Sequence, residues 1–317
     1  MSVGAATNVG APLVTVDVLD AAAAGMLARL IGPRIAAAPY SSMVNTEHVR
    51  REVLTEQPPS HYAVRWQKHR HFGAWRAGQL VGFLDTAVGL DTDSADVPDY
   101  YPIGLIRFLA LPDRREWVTP VAEALFDAAH QFWLEAGVAF VKAFHISTGY
   151  PSFQSGAGIL PSDWGDLVRA LTSVGFVFST RYYCFARRLV EPIEETVPHA
   201  DLSLVYRGDW TNRRYEIYYR RVEMVAHGRV VRLPIQGDDG PMPVARLVDL
   251  YVDPDWRHKD IGKWLLRRAI NDATHQGDVQ MIAHLAQQHH AALNLLVQQG
   301  FQELNYRGYS LEMALTQ

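Results

Sequence analysis

The chain has 317 residues, of which 48% are hydrophobic and 20% are charged, and its formal net charge at pH 7 is −4. This length has room for two domains of ordinary size, and the composition is that of a globular protein, not a disordered one. Nucleic-acid-binding proteins usually carry a strongly basic surface, whereas this chain has a small acidic excess, so we expect no nucleic acid partner.

Three features bear on location. Cys184 is the single cysteine, which precludes an internal disulfide framework and is typical of a reducing cytoplasm. The first residues lack the basic and apolar segments of a signal peptide. The apolar run at 21–38 is interrupted by Arg29, Pro33 and Arg34, which makes it a poor membrane span. We therefore predict a cytoplasmic protein without membrane association.

The first half of the chain predicts a complete set of alternating elements. A strand at 13–19 precedes a helix from residue 21 and a second helix near 46–55, and a hairpin then turns at Gly78. A strand ending near 111, a helix, a strand at 138–145 and a helix before Gly175 follow. An insertion at 146–162 carries Tyr150 and Phe153, which would suit a lid over a site. The spacing His69-x-His71 is explained by strand alternation, so we expect no metal.

The same order of elements recurs after a proline-containing, acidic segment. The hairpin at 75–81 matches 225–231, with a turn predicted at Gly228, and the strand-to-helix junction at 109–112 matches 251–254. The fold class predicted is α/β, an α+β arrangement with a mixed sheet. Two copies of one unit are expected at 1–190 and 201–317, joined by a linker at 191–200.

The two copies differ in length. Where the first has two early helices, the second has only residues 201–214. We expect the first half or a second subunit to supply the missing wall, so the alternatives include a homodimer. We also expect residues 1–190 to fold alone and residues 201–317 to fold poorly.

The segment LVDLYVDPDWRHKDIGKWLL, residues 247–266, is the most informative part of the second copy. It predicts a strand that Asp253-Pro254 ends and a helix with one apolar face. The residues of that face are Ile261, Trp264, Leu265, Ala269 and Ala273. Cations between the strand and the helix oppose the helix dipole, so they favour a loop that binds phosphate through free N–H groups.

This segment resembles the R/Q-x-x-G-x-G/A loop of the GNAT superfamily of N-acetyltransferases, as Arg257-His258-Lys259-Asp260-Ile261-Gly262. A strand at 279–285, a helix at 291–299, Gly300-Phe301 and a strand pair around 306–315 are similar to the rest of that domain. The resemblance implies two GNAT-like acyl-CoA N-acyltransferase domains in tandem, with acetyl-CoA as the donor. It assigns cofactor contacts to Leu250, Tyr251, Val252, Arg257, His258, Lys259, Asp260, Ile261, Gly262, Lys263 and His289.

Two departures from the family pattern shape the expected site. Asp260 replaces the first loop glycine, and its carboxylate would either repel phosphate or cap the helix. The first copy has no glycine at 112–120, and Pro120 is placed opposite Gly262. Bulky side chains and a missing N–H obstruct the approach of phosphate, so the first copy is predicted to be degenerate.

The family's tyrosine acid is absent, because its position holds Leu296. Tyr306 and Tyr309 are the replacement candidates, and Asp249 and His284 are the candidate bases. The alternative interpretation makes Asp249 a solvent-facing strand residue and His284 a structural imidazole, and His289 could bind pantetheine or merely start a helix. The predicted function is acetyl transfer from CoA to an amine of a small molecule or protein. The alternative is an inactive module that binds acyl-CoA or a protein partner.

Overall fold

A computed structural model describes residues 14–61, 64–91, 102–146, 148–237 and 240–315. The helices are α1 (Ala24–Ala37), α2 (Thr46–Glu52), α3 (Arg115–Glu135), α4 (Gly165–Ser173), α5 (Ile261–His275) and α6 (His290–Gln298). The strands are β1 (Thr15–Val18), β2 (Val64–Arg76), β3 (Gln79–Asp91), β4 (Ile103–Ala110), β5 (Phe140–Ala143), β6 (Leu160–Pro161), β7 (Val177–Arg188), β8 (Leu202–Arg207), β9 (Asn212–Tyr219), β10 (Glu223–Gly237), β11 (Gly240–Val252), β12 (Gln280–Ala286) and β13 (Gln302–Ala314).

One mixed sheet runs through both halves in the order β1-β2-β3-β4-β5-β13-β7-β12-β11-β10-β9-β8, and β6 pairs with β13 beside this path. Each half places its last strand in the sheet of the other half. β13 lies between β5 and β7, while β7 lies between β12 and β13. The predicted α/β class with a mixed sheet is confirmed, but the two copies exchange a strand and are not joined only by a linker.

The helical faces that contact the sheet are those expected from their apolar periodicity. The predicted face of α5 is buried, with its five residues between 0% and 6% exposed. In the first half, Val121 of α3 approaches Gly82 so closely that a Cβ at Gly82 would lie 2.4 Å from its side chain. Close contacts of this kind fix the position of a long helix on the sheet.

The predicted elements of the first half are confirmed from residue 14 onward, whereas Leu13 lies outside the described residues. The hairpin turn is formed by Ala77 and Gly78, with φ values of 49° and 76°. The prediction of a second glycine turn, at Gly228, was wrong. β10 continues through Gly228, and the turn lies at Arg220 and Arg221, both left-handed. Glycine in a strand also marks the close approach of another element, and a Cβ at Gly228 would lie 3.4 Å from a side-chain carbon of α5.

The second half starts with the hairpin β8–β9 where the first half has two helices. Part of the exposed sheet face is covered by the first half, as expected. Tyr40 packs against the apolar cluster that contains Ile235, and Ser42 Oγ donates to Pro234 O at 2.8 Å. Residues 189–201 contain no helix or strand. The domain boundary at 191–200 remains a prediction. No described helix has the length and apolar character that crossing a bilayer requires.

Candidate active site

The central feature of the second half is the point where β11 and β12 stop pairing. Their parallel ladder runs from Val244–Gln280 to Leu247–Ala283, whereas β11 continues to Val252 and β12 to Ala286. Beyond this point the edge of β11 that faces β12 lies outside the β11–β12 ladder, so an extended ligand could approach this edge. We call the space between residues 248–252 and 284–286 the wedge.

A β-bulge lies at the start of the wedge. The register of β10 and β11 changes between the pairs Arg229–Asp249 and Val230–Leu247, which leaves Val248 as the extra residue. A bulge redirects the side chains that follow it. Leu250 and Val252 pack with the core beneath α5. By strand alternation, Asp249 and Tyr251 therefore face the opposite side of the sheet.

The loop that follows β11 has the conformation of an anion-binding cradle. His258 and Asp260 have φ values of 61° and 55°, so two residues before the helix are left-handed. Successive turns of this kind direct backbone N–H groups toward one point. The N–H groups of Ile261, Gly262 and Lys263 have no partner within the first turn of α5, by helix geometry. The loop therefore retains the donors that phosphate requires.

Asp260 occupies the left-handed position that the family fills with glycine. Aspartate is one of the few other residues that adopt this conformation readily. Its side chain makes no capping hydrogen bond to α5, so the interpretation of Asp260 as a helix cap is wrong. In sequence Asp260 is flanked by three cations of the loop and helix, which are Arg257, Lys259 and Lys263.

Two of these cations are held by identified contacts. Arg257 Nε donates to Val252 O at 3.1 Å, which fixes its guanidinium beside the end of the wedge. Lys259 Nζ lies 4.5 Å from the centre of the Trp256 ring. Both side chains remain exposed and can reach a phosphate.

The floor of the cradle is narrow and apolar. A Cβ at Gly262 would lie 3.4 Å from Val252, 3.7 Å from Leu295 and 3.8 Å from Leu250, all ordinary contacts. These side chains suit a methylene arm, and the helix N-terminus suits a diphosphate. The residues therefore fit acetyl-CoA. Nine of the eleven residues assigned to the cofactor, those at 250–252 and 257–262, lie along this path, but the Tyr251 side chain faces away from it.

The remaining two assigned residues are His289 and the half-buried Lys263. His289 precedes α6 and makes no side-chain cap bond. It is exposed, so either role considered for it, pantetheine contact or helix start, fits its position.

Sequence reasoning missed a residue beside Asp249. His227 Nε2 lies 2.9 Å from Asp249 Oδ2, and the side chains are 25% and 38% exposed. The His227 ring also stacks on Tyr251, with 5.2 Å between ring centroids. A turn at Gly228 would have removed His227 from the strand, so the misplaced turn concealed this pair. The signal that could have revealed it is the cross-strand register of β10 and β11.

His284 lies on the same sheet face but in a different environment. It is 6% exposed, and neither ring nitrogen has a hydrogen-bond partner among the described residues. Burial, with the nearby Arg246 guanidinium, holds the pKa of His284 well below its ordinary value. The imidazole is therefore neutral and a weak proton acceptor. The structure does not bring His284 and Asp249 into a hydrogen bond.

The first half contributes a further histidine to this interior. Burial and the guanidinium groups of Arg246 and Arg229 lower the pKa of His61 to about 3. Arg246 also donates to Ser155 O at 2.8 Å. The covering wall thus meets the second half through polar contacts beside His284.

The two candidate tyrosines lie on β13, which is separated from β12 by β7. The Tyr306 hydroxyl is buried without a partner among the described residues, and burial, with the nearby Cys184 thiol, raises its pKa well above the ordinary value. Tyr309 lines a cavity of about 510 Å³ and contacts Phe178, with 4.8 Å between ring centroids. In the sheet, β7 and β12 therefore lie between the strand of both tyrosines and β11.

The first half has the same bulge but different residues around it. Its β3–β4 register changes between Asp85–Phe108 and Thr86–Ile106, which puts Phe108 at the position of Asp249. Phe108 is fully buried against Tyr150 and Phe153, with centroid distances of 5.7 and 5.4 Å. The prediction of a lid was wrong, because these inserted aromatic side chains are core residues.

The loop before α3 also differs from the cradle. Among the described residues of 111–115, none is left-handed. Pro120 lies inside α3, in its second turn, so its placement opposite Gly262 was wrong. The cause is loop length: Pro112 lies close to the start of α3 at Arg115, whereas Pro254 precedes α5 by a full loop.

Comparison with known proteins agrees with this geometry. Residues 186–301 match the model of the acetyltransferase (GNAT) family. A search of curated proteins gave no match. A tandem GNAT protein from the clavulanic acid biosynthesis pathway has a similar structure, with TM-score 0.65, 14% identity, and coverage of 95% of this chain and 98% of the other.

Two further structures are similar in fold. A GCN5-related N-acetyltransferase from Sphaerobacter thermophilus gives TM-score 0.61 and 10% identity, covering 95% of each chain. A glucosamine N-acetyltransferase region of a fungal multi-domain β-N-acetylglucosaminidase gives TM-score 0.69 and 12% identity, covering 96% of this chain and 38% of that one. Residues 186–301 thus carry the pattern of a GNAT-family domain, and the whole chain has the fold of these tandem structures. This family and fold support acyl transfer from CoA.

Proposed function

We propose that the second half transfers an acetyl group from acetyl-CoA to an amine of a small molecule or protein. The observation that carries the proposal is the wedge, with the cradle at one end and the pair His227–Asp249 on the opposite sheet face. The cradle can bind the diphosphate, and the apolar side chains of Leu250, Val252 and Leu295 can guide the arm. The donor and the amine would then meet at the bulge from opposite faces.

Catalysis in this proposal depends mainly on positioning. Bound acetyl-CoA supplies an activated thioester. The backbone of residues 250–252 can hold its carbonyl group beside the bulge, and alignment of two reactants can account for a large part of a rate enhancement. Asp249 carries negative charge on the acceptor side, which favours an ammonium group there.

The test is release of CoA thiol from acetyl-CoA in the presence of spermidine, lysine, glucosamine and a lysine-containing peptide. Mass spectrometry should show acetylation of at least one amine. Gly262→Arg is a matched control, because a long side chain at the floor of the cradle would block the arm. Thiol release that is equal in this variant, or absent with every amine, would contradict the proposal.

The alternative remains an inactive module that binds acyl-CoA or a protein partner. It is favoured by the buried Leu296, 3% exposed, at the position where the family's tyrosine acid is expected. Calorimetry distinguishes the two. Binding of acetyl-CoA without thiol release supports the module, whereas binding with release supports the enzyme.

A further inference from the structure

The pair His227–Asp249 lies on the sheet face that lacks helices in the second half. The separation of 2.9 Å between Nε2 and Oδ2 is that of a hydrogen bond, and both side chains retain partial exposure. Tyr251, which stacks on His227, is 42% exposed. A molecule that approaches this face can therefore touch a carboxylate, an imidazole and an aromatic ring together.

The other charged groups around His227 are held by their own neighbours. Glu216 lies opposite His227 on β9 and is buried, and Arg229 follows on β10. The contacts are Tyr218 Oη to Glu216 at 3.0 Å, Arg207 Nε to Glu216 at 3.3 Å, Arg214 Nε to Glu216 at 3.4 Å, and Arg229 Nε to Asn212 Oδ1 at 2.7 Å. Arg229 also donates to His61 O. Asp249 is thus the carboxylate that contacts the imidazole directly.

We propose that His227 is the proton acceptor of the acyl transfer, and that Asp249 binds the acceptor ammonium and orients the imidazole. This role rests on the function proposed above. Amines of the lysine type are protonated at neutral pH and cannot attack a thioester in that form. Histidine is suited to the task because an imidazole nitrogen can accept a proton and return it to solvent.

The proposed step balances in protons and bonds. The acceptor ammonium donates to Asp249 and loses one proton to His227, whose imidazole becomes imidazolium. The free nitrogen lone pair forms the C–N bond at the thioester carbonyl carbon. The C–S bond then breaks, and the second proton on nitrogen neutralises the departing thiolate. The imidazolium returns its proton to solvent, so the products are an amide, free CoA thiol and one proton.

The proposal is tested with the full chain and the variants His227→Gln and Asp249→Asn. His275→Gln is the control, because this exposed histidine lies at the far end of α5. With acetyl-CoA and the amine of the panel that reacts best, we expect kcat/KM of His227→Gln at pH 7 to fall about 100- to 10,000-fold. Affinity for CoA, measured by calorimetry, should remain unchanged in all three.

The pH profile separates a chemical role from a structural one. In His227→Gln the deficit should shrink toward pH 10, where about a quarter to a third of a lysine-type amine is deprotonated unaided. A constant deficit at every pH, unchanged activity, or loss of CoA binding in His227→Gln would each overturn the role of His227. Wild-type protein that binds acetyl-CoA but releases no thiol with any amine would overturn the proposed function, and this role with it.

Discussion

The two halves carry different residues at the same structural position, directly after the bulge. The first half has Phe108, fully buried under aromatic side chains, and the second has Asp249, partly exposed and bonded to His227. The difference shows how a repeated fold can divide its tasks. One copy uses the position to fill a core, and the other leaves it open to a ligand.

The loops before the long helices show the same division. The second half has left-handed residues and cations at 257–260, whereas the described residues of 111–115 have no left-handed conformation. A concave set of N–H groups requires such a conformation. The first half therefore contributes a wall and a sheet strand, and we infer that the second half binds the cofactor.

The largest expected effect is that of separating the halves. A fragment of residues 201–317 loses β7 between β12 and β13, and a fragment of residues 1–190 loses β13 between β5 and β7. Because the sheet core carries most of a domain stability of about 5–15 kcal/mol, neither fragment should melt cooperatively. Circular dichroism and calorimetry provide the measurement. This revises the expectation from sequence that residues 1–190 fold alone.

The matched control keeps both halves present. A protease site inserted after Glu191, in the segment without helix or strand, should be cleaved without separating the two pieces in gel filtration. Dissociation after cleavage, or a cooperative melt of either fragment, would show that strand exchange is not what unites the halves.

The next effect compares Phe108→Ala with Asp249→Ala. The first substitution removes a buried aromatic ring and should lower the free energy of unfolding by about 3–5 kcal/mol. The second changes a partly exposed residue and should lower it by about 1 kcal/mol or less. Urea unfolding measures both, and thiol release should be lost only in Asp249→Ala. Equal destabilisation of the two variants would refute the proposed division of tasks.

A smaller effect is expected from Arg257→Ala. Loss of one charge-assisted hydrogen bond to phosphate should weaken CoA binding by about 1.5–3 kcal/mol, a factor of about 10 to 150. Arg115→Ala, at the start of α3, is the matched variant in the first half and should bind CoA normally. If calorimetry showed a larger loss of CoA affinity in Arg115→Ala, the CoA site would lie in the first half and the prediction would be contradicted.

The smallest effect concerns the sign of the charge at Asp260. Asp260→Asn removes the charge but keeps a residue that tolerates φ near 55°. We expect CoA binding to tighten by about 0.3–1 kcal/mol, with a smaller difference at high salt because the charges are exposed. Asp260→Gly should also tighten CoA binding. Weaker binding in Asp260→Asn would mean that the carboxylate organises the loop.

The sequence predicted what depends on local pattern. The strand, the proline stop and the amphipathic face of α5 follow from periodicity, so the cradle between them could be placed at 257–262. The family resemblance supplied the tandem fold. Asp249 could be named because it lies on the strand that enters the loop.

Other features depend on contacts that no local pattern encodes. The exchange of β7 and β13 is a choice between equivalent strand edges, which repeated units present alike. His227 became visible only once the turn was placed at Arg220 and Arg221, because strand register decides which side chains meet. Tyr150 and Phe153 look the same in sequence whether they cover a site or fill a core.

The central claim, that the second half alone binds the cofactor, is tested most directly by titrating CoA into the full chain by calorimetry. We predict one site per chain, unaffected by Arg115→Ala and weakened about 10- to 150-fold by Arg257→Ala. Two equivalent sites per chain, or a single site that Arg257→Ala leaves intact, would contradict the claim.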